Sequence, residues 1–227
     1  MKQNIRWHLK QVFSIRAMDI LMVPDLAFSP VLPVDDDLEV EILREEDIPE
    51  LMEFHDSRCI QRSGVFTREE VLTRLKSGHM CSCARHRGNM SGFVWFAPLV
   101  VFAPDLHCEF EMNDGGVMIY NAFIASEHRG RKVLPTVLNM SFRKLAEFGY
   151  SRSYAFIHHE NRSPKKTLEK YHSQTCGIIF HGFAAGCYFL LPFIRNNAGI
   201  RVRLCSSPWY RWQEVFRKRP IGGQPTQ

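Results

Sequence analysis

The sequence predicts an α/β (α+β) fold: a mixed, mostly antiparallel sheet flanked by helices, with a parallel pair of strands at its centre. Three observations carry this. Val117 to Phe148 reads as a buried strand, a charged turn and an amphipathic helix. Ser153 to Ile157 reads as a second buried strand, and a helix between two strands is the crossover that parallel neighbours require. Upstream, a strand, two helices and a hairpin follow one another between Leu38 and Val101, and more strand signal follows Gly177.

The 227 residues suffice for one full core, and 45% apolar with 23% charged residues is ordinary globular composition. A formal charge of +5 suits an anionic ligand, but no long basic run points to nucleic acid. Seven cysteines without CxxC pairs fit neither a disulfide framework nor a zinc site, and a reducing cytoplasm is the expected compartment. No apolar run is long enough to span a bilayer.

Residues 1–22 read as a helix with a stripe of Ile5, Leu9, Val12, Phe13, Ile20 and Leu21 and a basic face of Lys2, Arg6 and Lys10. Such a helix packs on this domain or on a second subunit; peripheral contact with an anionic membrane is the alternative. Pro24, Pro30 and Pro33 mark an extended connector, so residues 1–37 form an arm, 38–207 the central domain and 208–227 a tail.

Within that domain Leu38-Glu39-Val40-Glu41-Ile42 alternates as a strand. Arg44 to Asp47 opens a helix through Ile48, Leu51 and Phe54. Thr67 and Glu70 form a capping box for a helix to Lys76. Met80 to Arg85 and Ser91 to Val101 pair across the turn Arg87-Gly88-Asn89. Pro104 to Gly116 reads as a long acidic loop carrying Glu109, Glu111 and Asp114. Ile178 to Phe193 is a strand region broken by Gly182 and Gly186, and Ile200 to Leu204 is expected to pair with it as a closing hairpin. A short C-terminal helix holding Trp209, Tyr210 and Trp212 is expected to cover the core, and the last seven residues read as disordered.

The chemistry concentrates after the Val117 strand. Arg129, Arg131 and Lys132 sit in a turn that runs into a helix start, where free backbone N–H groups and the positive end of the helix dipole favour an anion. Three cations beside such an end imply a polyphosphate.

The stretch resembles the acyl-CoA-binding core of the GCN5-related N-acetyltransferases, the GNAT superfamily. In that family a strand enters a turn of pattern Gln/Arg-x-x-Gly-x-Gly/Ala, which maps here onto Arg129-Gly130-Arg131-Lys132-Val133-Leu134. Arg129 and Gly130 match, whereas Lys132 and Leu134 stand where the pattern has small residues. Glu160-Asn161, then Leu168-Glu169-Lys170, resemble the second part of the family's signature. The resemblance spans Leu38 to Leu204 in element order.

The resemblance implies a GNAT-like sheet and an N-acyltransferase that uses acetyl-CoA or another acyl-CoA to acylate an amine acceptor. It assigns the acyl-CoA to backbone groups of Phe123 and Ile124, to the turn from Arg129 to Leu134, and to Asn161. Many members carry a tyrosine as general acid where this chain has Leu168; Tyr171 lies three residues on and reads as structural. Tyr120, His158 and Glu111 are candidates for the base. His158 and His159 are adjacent in a strand, so they point to opposite faces and share no metal site. Glu109, Glu111 and Asp114 at an acceptor entrance would favour a cationic acceptor. The alternative is a GNAT-like fold kept as a binding or assembly module.

Overall fold

A computed structural model describes residues 13–33, 36–58, 66–103, 106, 108–113, 115–184, 187–195, 198–204 and 209–211. The large sheet runs, edge to edge, β12 (Trp209–Arg211), β10 (Cys187–Ile194), β9 (Gln174–Ala184), β1 (Phe13–Val23), β8 (Arg152–His158), β7 (Gly116–Ile124), β4 (Asn89–Pro98), β3 (Met80–His86) and β2 (Leu38–Ile42). A second sheet is made of β11 (Ile200–Leu204), β6 (Cys108–Met112) and β5 (Val100–Ala103). Helices α1 (Ile48–Arg58), α2 (Arg68–Lys76), α3 (Val133–Glu147) and α4 (Arg162–Glu169), with 3₁₀ turns at Glu45–Asp47 and Ser126–His128, complete the described elements. No helix among the described residues is long and apolar enough to cross a membrane.

Every neighbouring pair in the large sheet is antiparallel except β7 and β8, which are parallel. The intervening α3 is the crossover that this pairing demands. Local sequence explains the helix starts. Thr67 Oγ1 accepts from the Glu70 amide at 3.2 Å, and the Thr67 amide donates to Glu70 Oε2 at 3.0 Å, so the capping box forms as expected.

The large sheet is covered on both faces. Val94, Phe96, Val117 and Ile119 pack with Val133, Val137, Leu138, Phe142 and Leu145 of α3. On the other face Phe93, Trp95 and Phe123 pack under α1 and α2. Met118, Tyr154, Ile179 and Leu190 pack there against Phe110 and Met112 of the second sheet. Strict alternation thus sends each central strand's residues into two different cores, which is why these strands are apolar on both sides.

Four expectations are corrected. Residues 13–22 are strand rather than helix; residues 1–12 lie outside the described residues. β1 is bonded to β8 on one edge and β9 on the other, and sends Leu21 to the α3 core and Ile20 to the second-sheet core. Two apolar neighbours on opposite faces suit a central strand, and tertiary pairing overrides the helical reading.

The acidic stretch is not a loop over its described residues 108–112, because Cys108, Phe110 and Met112 point inward while Glu109 and Glu111 alternate with them. Ile200–Leu204 pairs with this β6 and not with β10. Its Arg201 and Arg203 stand opposite Glu111 and Glu109, cross-strand pairs of opposite charge that favour this partner. Trp209–Arg211 forms a strand on β10, in place of the expected helix; residues 212–227 lie outside the described residues.

Candidate active site

β7 and β8 are paired only from Gly116↔Arg152 to Ile119↔Ala155. Both continue, to Ile124 and His158, without pairing, so a cleft opens between their C-terminal ends. On its other edge β7 stays bonded to β4, but the register slips from Trp95↔Tyr120 to Phe93↔Phe123. One extra residue sits in β7 there, and Asn121 takes a φ of 45° to accommodate it. Backbone groups of β7 beyond Ile119, including those of Phe123 and Ile124, therefore have no partner from β8. A strand of ligand polar groups could add to this edge.

At the cleft's end, Ser126–His128 makes a single 3₁₀ turn and the chain passes through exposed Arg129, Gly130, Arg131 and Lys132 into α3. Gly130 has φ 80° and Lys132, the N-cap, has φ 59°. The lysine thus adopts the left-handed conformation that the resemblance pattern reserves for a small residue, at a steric cost to any residue with a Cβ. No side chain caps α3, and its first turn contains no acid. Its first amides are therefore open to an anion, with Arg131 and Lys132 beside them. Arg129 folds back, its Nε donating to the Ile124 carbonyl at 3.4 Å, so it shapes the turn. Val133 is buried under the sheet and Leu134 half-buried, so their side chains serve packing. Asn161 is the N-cap of α4, exposed and making no side-chain cap bond.

Tyr120 is the first residue of β7 past the last β8 pair. Its hydroxyl lies 2.5 Å from His79 Nδ1. Burial pushes the phenol well above its ordinary value, and Arg74, which pulls the other way, does not outweigh it. Burial, with Arg74 adding to it, pushes His79 down to about 4. The pair is thus a protonated phenol beside a neutral imidazole in the neutral range, a state that does not suit Tyr120 to the role of base for which it was one of three candidates. The pH dependence follows. An unfolded histidine gains its proton near 6.5 and the folded His79 only near 4. Stability is expected to fall as pH drops through that window, and His79→Gln to remove part of the fall in denaturation midpoints measured between pH 7 and 4.5.

The other candidates separate. His158 is exposed at the end of β8, its ring 6.3 Å from that of His181. His159 turns to the opposite face, where its Nδ1 lies 3.1 Å from Asp19 Oδ1 and its carbonyl accepts from Lys165 Nζ at 2.7 Å. Lys165 also pairs with Asp19. Burial raises the Asp19 carboxyl, but Lys165 and His159 outweigh it and hold it below its ordinary value. Tyr171 is 1% exposed, and its hydroxyl donates to Asn139 Oδ1 at 2.6 Å, tying the end of α4 to α3 as a structural residue.

Glu111 is not brought to the cleft. It alternates with inward-facing Phe110 on β6 and pairs with Arg203 at 2.8 Å. Glu111→Gln is expected to leave acceptor kinetics unchanged and to cost at most about 1 kcal/mol in a denaturant titration, the scale of an exposed ion pair.

Sequence reasoning missed His79 and Arg74. The Arg74 guanidinium lies 5.1 Å from the ring centres of Phe66 and Trp95 and 5.3 Å from that of Tyr120. His79 follows Gly78 in the link to β3, and nothing local marks it as the partner of a residue 41 positions away.

Among solved structures, a Drosophila protein is similar over 86% of this chain and 58% of its own, at 16% identity and a TM-score of 0.50. A putative acetyltransferase of the GNAT family from Novosphingobium aromaticivorans is similar over 74% of this chain and 64% of its own, at 15% identity and a TM-score of 0.51. A GCN5-related N-acetyltransferase from Sphaerobacter thermophilus is similar over 77% and 53%, at 13% identity and a TM-score of 0.51.

The fold is a GNAT fold.

The chain spans 53–64% of the length of these three structures. No protein-family model matches it. No curated protein matches it. Within the GNAT fold, the parting of β7 from β8, the bulge at Asn121 and the uncapped start of α3 all belong to the strand–turn–helix unit from Gly116 to Glu147.

Proposed function

We propose that the protein is an acyl-CoA-dependent N-acyltransferase, transferring an acyl group, acetyl in the simplest case, from acyl-CoA to an amine by direct attack. The observation that carries this reading is the unpaired stretch of β7 ending in an uncapped helix start flanked by Arg131 and Lys132. Backbone amides at that start would hold the pyrophosphate, and the unpaired edge of Phe123 and Ile124 would hold the pantetheine arm. His158 and Asn161, at the β8 side of the groove, are placed to border the arm rather than to move protons.

The amine nitrogen attacks the thioester carbonyl carbon; a C–N bond forms, the C–S bond breaks, and the nitrogen loses its proton to solvent. The departing thiolate takes a proton. Tyr120 is the group this reading assigns to that step, because its phenol stays protonated across the neutral range. With the mobile imidazole proton on His79 Nδ1, the Tyr120 hydroxyl hydrogen is free to point into the cleft. The direct test is thermal denaturation with CoA, acetyl-CoA and longer acyl-CoAs, with release of free thiol followed on adding amines. No stabilisation by any of them would remove the reading.

Lys132 supports a second reading, a binding module without catalysis, since a left-handed lysine stands in the phosphate turn. Two substitutions separate the accounts. Arg131→Glu is expected to weaken acetyl-CoA binding by about 1–3 kcal/mol, the scale of a charge-assisted hydrogen bond. Lys132→Gly is expected to stabilise the free protein by relieving the left-handed strain, by roughly 0.5–1 kcal/mol after the glycine's own entropy is counted. If the lysine touches phosphate, glycine also weakens acetyl-CoA binding; if it only obstructs, glycine tightens it. Titration calorimetry in which neither change alters binding would favour the module.

A further inference from the structure

We propose that Arg74 recognises a carboxylate on the acceptor, so that the amine acylated by this protein is that of an amino acid. The inference rests on the acyltransferase reading above and names its substrate class.

The observation is an inward-facing arginine without an acid. Arg85, the other half-buried arginine on this side of the sheet, is met by three carboxylates: Glu41 at 2.5 Å, Glu50 at 2.6 Å and Asp47 at 3.7 Å. Arg74 is half-buried too, yet among the described residues no aspartate or glutamate pairs with it. It is held by the rings of Phe66, Trp95 and Tyr120 and by one neutral amide. The Asn121 carboxamide oxygen, in the orientation that satisfies its neighbours, accepts from Arg74 Nη1 at 3.2 Å and Nη2 at 3.3 Å. Taking a guanidinium partly out of water without an opposing charge is costly, and a bidentate carboxylate is the ligand that offsets it best.

Position makes that ligand an acceptor. The rings that hold Arg74 include Tyr120, the residue at which β7 and β8 part. Asn121, its hydrogen-bond partner, is the bulged residue of the same strand. An amino acid carries its amine and its carboxylate on one carbon. An Arg74-bound carboxylate would therefore hold the amine beside Tyr120, where the thioester would lie. Two of the acids that would have favoured a polycation are engaged elsewhere: Glu111 is paired with Arg203, and Glu109 stands opposite Arg203 across the β6–β11 ladder. Tyr120 faces a cationic arginine and a neutral histidine, surroundings that repel a spermidine and accept an acid.

The experiment uses the full chain, with acetyl-CoA binding first established by thermal denaturation. Thiol release is then measured with glycine, glycinamide, phenylalanine, phenylalaninamide and spermidine. The free acids are expected to show kcat/KM at least tenfold above their amides, with spermidine the poorest. Arg74→Gln is expected to raise KM for the acids tenfold or more, to leave KM for the amides and for acetyl-CoA within twofold, and to be partly rescued by Arg74→Lys. If Arg74→Gln does not fold, the wild-type protein saturated with CoA still decides. N-Acetylglycine should raise its melting temperature more than N-acetylglycinamide at equal concentration. Amides or spermidine turning over as well as the acids, or equal protection by the two products, would overturn the carboxylate inference while leaving the acyltransferase reading intact. Absence of both acetyl-CoA binding and thiol release would instead overturn that reading, and this inference with it.

Discussion

Replacing Gly182 by alanine is expected to cost about 3 kcal/mol or more, at or above the upper end of what overpacking usually costs. A Cβ at this position would lie 1.7 Å from the Ser14 carbonyl oxygen and 2.8 Å from its carbonyl carbon. Both are main-chain atoms of β1, held in register against β9 by the pairs Ser14↔Phe183 and Ile15↔Gly182, so no side chain can rotate out of the way. One strand must leave the other, and the sheet opens where its N-terminal strand is seated. For a chain of this size such a loss lowers the melting temperature by roughly 6–12 °C. Denaturant midpoints of the wild-type and Gly182→Ala proteins measure it. An unchanged midpoint would mean that β1 does not run against β9 at this point.

That glycine also marks the limit of what local pattern discloses. Gly182 was legible as a break in a strand, but the reason for it lies 168 positions earlier, at Ser14. The same holds for β1 itself. Its residues carry apolar side chains at spacings compatible with a helical stripe, and only the empty slot between β8 and β9 makes them a strand. By contrast the Thr67–Glu70 capping box and the strand–helix–strand crossover from Val117 to Ile157 are local in sequence and local in cause, and both stand in the structure as expected.

The candidate site divides along the same line. The basic turn at the start of α3 was legible because charge, glycine and helix start fall within six residues. Its key strain, the left-handed Lys132, was visible only as a missing glycine. Glu111 was misassigned because its partner, Arg203, comes from a strand whose pairing is decided by charge across the ladder. Tyr120 was legible as a candidate by itself; the histidine bonded to its hydroxyl and the arginine over its ring arrive from α2 and the link after it, and no spacing rule connects them.

Those neighbours make Tyr120→Phe the most informative change for catalysis. The expected result is a fall of about 100-fold in kcat, the low end of what a positioned proton donor contributes, with KM for acetyl-CoA unchanged. Phenylalanine keeps the ring under the Arg74 guanidinium and the packing against Trp95, so the fold and the cation–π contact are retained while the hydroxyl alone is lost. The pH profile adds an independent reading. His79 is neutral above about 4 and the Tyr120 phenol is pushed well above its ordinary value, so neither group titrates between pH 5 and 9. The wild-type rate should therefore rise through that range only as the acceptor amine loses its proton, and Tyr120→Phe should lower the whole curve without moving its inflection. A single-turnover rate unaffected by the substitution would show that the thiolate leaves without help from this hydroxyl. An inflection that moves with it would assign Tyr120 to deprotonating the amine instead.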